Sequence, residues 1–194
     1  MRHVNRAISP KDIEALALDF APEIVQARCI RPTEPETPIV IAVAIASPDP
    51  MPQPSVAMRD GLARFLSERA ASSWTSADFR VVGPEFVRVR LTVELTLAAS
   101  SSAALPSLVR DRLLRFLHPT TGGLDGKGWP FGRGLWASDV HRALAGTLGE
   151  ADVFRLEVTR ADGGGDPAPI GAISIITTLA DQDDVTAILS EAVQ

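Results

Sequence analysis

Val87, Val89, Leu91, Val93, Leu95 and Leu97 alternate with Arg88, Arg90, Thr92, Glu94 and Thr96. Successive side chains of an extended strand point to opposite faces, so this stretch predicts a long β-strand with one apolar and one wet face. An apolar sheet face has to be buried against another layer, and helices with Leu/Phe stripes flank this strand on both sides in sequence. The chain is therefore expected to be α+β.

Its 194 residues fit one large domain or two small ones. Hydrophobic residues at 45% and charged residues at 22% rule out wholesale disorder. The longest apolar run, Ile39 to Ala46, is under half of the roughly 20 residues that a membrane span needs. No charged segment followed by an apolar stretch opens the chain, so no secretory signal is expected. Cys29 is the single cysteine, which excludes an internal disulfide and a Cys-based zinc site. The expectation is a soluble protein from a reducing compartment.

The net charge of −5 argues against a general nucleic-acid binder. Arginines concentrate between Arg59 and Arg115. Carboxylates dominate from Glu150 onward, ending in Asp181, Asp183 and Asp184. That asymmetry suits contact between the acidic C-terminal stretch and the Arg-rich middle of an adjacent copy, and solvated faces account for it equally well.

Ser9-Pro10-Lys11-Asp12 is a helix start, with Ser9 at the N-cap and Pro10 at the first helical position. Ile13, Leu16, Ala17 and Phe20 continue it at helical spacing up to Pro22. Ile24 to Ile30 predicts a strand, and Ile39 to Ala46, apolar throughout, a central strand covered on both faces. After the proline-rich stretch Pro48 to Pro54 comes a helix through Met58, Leu62, Phe65 and Leu66, then a short strand Phe79–Val82. The alternating strand is followed by a helix through Leu105, Leu108, Val109, Leu113, Phe116 and Leu117. Beyond a Gly-rich loop, Ser138 is placed to cap a short helix containing Asp139, Val140 and Leu144. Val153–Thr159 and Ile170–Leu179 predict the last two strands, joined through Asp162-Gly163-Gly164-Gly165-Asp166.

Arg59-Asp60-Gly61-Leu62-Ala63-Arg64-Phe65-Leu66 returns as Arg110-Asp111-Arg112-Leu113-Leu114-Arg115-Phe116-Leu117. In both places the helix follows a strong strand and a linker of small residues or prolines. The expectation is two similar α/β-sandwich subdomains, 1–84 and 85–194, the second holding the loop 118–136, with an internal duplication behind them.

No constellation for catalysis stands out. Gly122 and Gly126-Lys127 are separated by three residues where a P-loop needs four, and Gly128 stands where a Ser or Thr hydroxyl would hold magnesium. His3, His118 and His141 lack metal-ligand spacing, and His118 is placed to meet the last carbonyls of the preceding helix. There is no Gly-x-Ser-x-Gly elbow, and Cys29 lies in an apolar strand. No cofactor and no metal are expected. The alternative is a small enzyme or nucleotide-phosphate binder using residues 122–128.

The loop does concentrate aromatic side chains. Trp129, Pro130, Phe131 and Trp136 interleave with Lys127 and Arg133 in a chain that has no tyrosine. Trp and Arg are frequent interface anchors. Equally, the rings can fold back and pin a long loop, and both hold if an inner ring packs while an outer one is presented.

His118-Pro119-Thr120-Thr121-Gly122-Gly123-Leu124-Asp125-Gly126-Lys127-Gly128-Trp129-Pro130-Phe131-Gly132-Arg133 resembles the signature of phage baseplate assembly proteins, the baseplate J-like wedge components of contractile tails and tail-derived injection systems. Phe116-Leu117 before it, Ser138-Asp139-Val140 after it, Arg6 to Glu14, Ala27-Arg28-Cys29 and Val81-Val82-Gly83-Pro84 extend the resemblance over most of the chain. Family members are usually longer, with this region at their C-terminal end, so a trimmed or a short member is expected. The resemblance implies no catalytic residues and an architectural role, joining wedges into a ring. It implies as partners other wedge, sheath-initiator and hub proteins and other copies of the chain, with no nucleic acid and no membrane span. The residues it marks as structural or interface are His118, Pro119, Gly122, Gly123, Asp125, Gly126, Gly128, Trp129, Pro130, Phe131, Gly132 and Arg133, to which the loop's second tryptophan, Trp136, is added. A free-standing interaction module of a secretion-related machine is the remaining reading.

Overall fold

A computed structural model describes residues 9–31, 34, 37–70, 79–96, 103–149, 151–163, 170–179 and 183–190. The expectations for Arg6 to Ile8, Leu97, Gly164 to Asp166 and Asp181 lie outside them. The chain forms two compact units, Met1–Glu85 and Phe86–Gln194.

The first unit opens with α1 (Pro10–Phe20), and its N-terminus is closed by a reciprocal cap. The Asp12 amide donates to Ser9 Oγ at 3.2 Å, and the Ser9 amide donates to Asp12 Oδ2 at 2.9 Å. Two of the helix's orphan donors are thereby satisfied. β1 (Ile24–Ile30) pairs antiparallel with β2 (Ile39–Ile45), which pairs parallel with β3 (Phe79–Val82). A parallel pair needs a crossover, and α2 (Val56–Arg69) supplies it, started by Ser55 Oγ accepting from the Met58 amide at 3.1 Å. β2 is the middle strand and no residue of it is exposed, as its unbroken apolar run predicts. Ile13, Leu16 and Ala17 of α1 and Leu62 and Leu66 of α2 bury themselves against Ile39, Ile41, Val43, Phe79 and Val81. Phe20 and Phe65 close the seam between the helices with ring centroids 5.2 Å apart.

In the second unit the alternating segment becomes β4 (Glu85–Thr96), the central strand of a four-stranded sheet. Val89, Leu91, Val93 and Leu95 are fully buried. α3 (Leu105–Phe116) contributes Leu105, Val109, Leu113 and Phe116 to the buried set. α4 (Ala137–Leu144) packs on α3, where Arg112 Nε donates to the Ala143 carbonyl at 3.2 Å. β5 (Asp152–Arg160) runs antiparallel to β4 on one side, while β6 (Ser174–Thr177) and β7 (Val185–Ser190) pair with β4 as well, β7 in parallel.

Among the described residues, four helices and two small mixed sheets make the chain α+β. The repeated Arg/Leu/Phe segments fall in α2 and α3, and each follows the central strand of its own sheet. Each central strand has an antiparallel neighbour (β1, β5) and a parallel one (β3, β7).

Three expectations are corrected. The strand expected over Ile170–Leu179 is confined to Ser174–Thr177, because residues 171–173 turn and the Ser174 amide donates to the Gly171 carbonyl. A further strand, β7, follows it. Ser138 does not cap α4: the helix begins a residue earlier, and Asp139 accepts the Trp136 amide at 3.1 Å. Of the acidic stretch, Asp184 is not available to an adjacent copy, while Asp183 stays exposed. Asp184 is fully buried and bonded to Arg88, and Asp183 lies 3.7 Å from Arg110 of the same unit.

Candidate functional site

The Gly/Trp loop begins where α3 ends. The Gly123 amide donates to the Phe116 carbonyl at 2.7 Å, which satisfies an orphan acceptor of the helix terminus. Gly123 does so at φ 78°, a left-handed conformation that favours glycine. Gly122 is required for a different reason: a Cβ there would run into the backbone oxygens of Phe116 and His118. His118 serves the next turn, where its Nδ1 accepts from the Thr121 amide at 3.3 Å and lies 2.9 Å from Thr121 Oγ1.

The loop then closes on itself. The Gly128 amide donates to the Gly122 carbonyl and the Trp129 amide to the Pro119 carbonyl, each at 2.9 Å. The Gly132 amide reaches the Ser174 carbonyl at 2.9 Å, tying the far side of the loop to the start of β6. These bonds bear on the phosphate reading. An anion-binding loop points consecutive amides at an empty centre, whereas the amides of Gly122, Gly123, Gly128, Trp129 and Gly132 are all donated to carbonyls of the chain.

Trp129 is the inner ring, 1% exposed and edge-on to Phe116 with centroids 5.5 Å apart at 87°. Its indole Nε1 donates to the Arg133 carbonyl at 2.6 Å. The Arg133 guanidinium lies 4.9 Å from the Trp129 ring centroid, and its Nη2 donates to Asp139 Oδ1 at 2.6 Å. The other oxygen of Asp139 caps α4, so one buried carboxylate fixes Arg133, the end of the loop and the start of the helix together. Asp139 is the organising residue that the motif left out. Its signal was its place at the third position of a helix opening on Trp136.

Trp136 is the outer ring, 57% exposed. Leu124 is 51% exposed, Asp125, Gly126, Lys127, Pro130 and Gly132 are exposed, and Phe131 is half-buried. Gly123, Leu124, Asp125, Gly128, Trp129, Pro130 and Arg133 line a shallow cavity of about 140 Å³. The loop therefore presents a stiff rim with apolar side chains standing out of it, over an anchored base. Among the described residues no group of three or more His, Cys, Asp or Glu side chains is placed to hold a metal ion, and no helix is long and apolar enough to cross a membrane. Cys29 is buried in the first unit. Burial, and then the nearby Glu14 carboxylate, push its thiol up to about 11 despite Arg31 and Arg28.

No protein-family model and no curated protein matches the chain. Among solved structures, a chain of the anti-feeding prophage baseplate, determined by cryo-electron microscopy with six-fold symmetrisation, superposes with a TM-score of 0.62 at 18% identity. This chain shares the fold of a baseplate chain. The match covers 91% of the present chain and 38% of the prophage chain. The present chain thus corresponds to well under half of the prophage chain's length.

Proposed function

We propose that this protein is a structural component of the baseplate of a contractile tail-like particle, a wedge element that works through protein–protein contacts and catalyses no reaction. The fold likeness to the prophage baseplate chain over 91% of the present chain carries the reading. The loop adds to it. The stretch that resembles the baseplate J-like signature is built as an internally bonded platform with Trp136 and Leu124 left outside, and large apolar side chains on a rigid base are what an interface anchor needs. In this reading the protein is made in the cytoplasm and ends in the particle. It meets neighbouring wedge, sheath-initiator and hub subunits there.

The test is assembly. Trp136→Ala, introduced into the gene of a particle-producing strain, is expected to lower the yield of sheathed particles in electron micrographs while the purified variant melts as the parent does. Trp129→Ala is the contrast. It removes an interior ring, and about 3–5 kcal/mol of stability should go with it. Normal yields of intact particles from a strain lacking the whole chain would overturn the baseplate reading. Normal yields with Trp136→Ala alone would remove only the anchor role of that ring.

A further inference from the structure

β5 is the outer strand of its sheet. Among the described residues it pairs with β4 alone, while β6 and β7 also pair with β4. No residue of β5 is buried, although four of the β4 residues behind it are. Open edges of this length present backbone donors and acceptors to any passing strand, and proteins blunt such edges or use them.

Register assigns the faces. Val153, Leu156 and Val158 stand opposite Leu95, Val93 and Leu91 on the apolar face, where they are only half-covered. Arg155, Glu157 and Thr159 stand opposite Glu94, Thr92 and Arg90 on the polar face, and Asp152 opposite Thr96. Phe154 is the extra residue of a bulge, with no partner on β4 and 65% of its surface exposed.

This strand complements itself when run backwards. Set antiparallel about Leu156, each copy places Arg155 against Glu157, Val153 against Val158 and Asp152 against Thr159, with Phe154 outside the register as it already is on β4. The apolar face then continues from one sheet into the next, and two Arg–Glu pairs lie on the polar face. Other registers fail. A slip of one residue sets Leu156 against a charge, and a slip of two sets Glu157 against Glu157 or Arg155 against Arg155.

We propose that the β5 edge joins a second copy of this chain across a two-fold axis, making one continuous sheet from two. The two-fold arrangement follows from a strand pairing with itself. The proposal rests on the residues of β5 and stands apart from the baseplate reading.

Sedimentation equilibrium of the full chain over a range of concentrations tests it, with circular dichroism to confirm that each variant is folded. The parent is expected to dimerise. Glu157→Arg turns both Arg–Glu pairs into Arg–Arg pairs, Arg155→Glu turns both into Glu–Glu pairs, and each should weaken the dimer about tenfold or more. An equimolar mixture of the two variants restores opposite charges across the axis and should dimerise as the parent does. A parent that stays monomeric at every concentration overturns the proposal. So does a dimer that either reversal leaves as tight as before, or a mixture that associates no better than its components.

Discussion

Arg88 holds Asp184 with two hydrogen bonds, Nε to Oδ2 at 2.6 Å and Nη2 to Oδ1 at 2.9 Å, across most of the second unit's sequence. Asp184 Oδ2 also accepts the Leu179 amide at 2.9 Å, and the Asp184 carbonyl accepts the Leu91 amide at 2.7 Å. One residue thus ties Leu179 beyond β6, Arg88 and Leu91 of β4, and the entry to β7 together. The carboxylate is fully buried while the Arg88 side chain keeps 29% of its surface in water.

That asymmetry sets the order of mutational costs. Arg88→Ala leaves a buried charge without its cation and should cost about 3–5 kcal/mol. Asp184→Ala leaves an arginine that reaches solvent and should cost less. Arg88→Met combined with Asp184→Leu should cost less than Arg88→Ala alone, because neither charge is left stranded. Urea unfolding of the three variants, with the slopes compared as well as the midpoints, checks the ranking.

In the loop, Gly122 and Gly126 look interchangeable as sequence but differ in surroundings. A Cβ on Gly122 meets the backbone of Phe116 and His118, which cannot move without undoing the end of α3. A Cβ on Gly126 meets nothing nearer than the Thr121 carbonyl oxygen at 3.9 Å, so only its φ of 67° opposes a side chain. Gly126→Ala should therefore cost about 1 kcal/mol. Gly122→Ala should cost clearly more, with a correspondingly larger drop in melting temperature, and equal drops would contradict the geometry.

Periodicity carried most of the fold, because β4, β2 and the helices α1 to α3 are elements whose apolar spacing is set by burial on one or both faces. The Ser9 cap was legible for the same kind of local reason. β7 was not. Its opening residue sits beside Asp183 and Asp184, which in sequence look like a solvated acidic end, and it is the distant Arg88, with the Leu179 amide, that makes a buried carboxylate tolerable there. The loop divided the same way. Its glycines and aromatics announced a special segment, but which ring packs inward depended on the edge-on contact with Phe116 and on the Arg133–Asp139 pair, which no spacing in the sequence displays. Charge patterning does point to the arginines: Asp184 bonds Arg88, and Asp183 lies beside Arg110 within the same unit.

Cys29 gives the fold a pH response that can be worked out in sign. The thiol ordinarily titrates near 9 and is pushed to about 11, first by burial and then by the Glu14 carboxylate. The Glu14 side chain is held close because its Oε1 accepts the Cys29 amide at 3.0 Å. Between those values the unfolded chain has lost its thiol proton and the folded chain has kept it, so the unfolded state is favoured increasingly as pH rises. The contribution to stability is whole below pH 9 and falls by up to about 2 kcal/mol by pH 11. Cys29→Ala removes the titrating group, so its stability should fall less steeply than the parent's over that window when both are followed by urea unfolding. Parallel curves for parent and variant from pH 8 to about 11 would mean that the thiol ionises in the folded chain as readily as in the unfolded one.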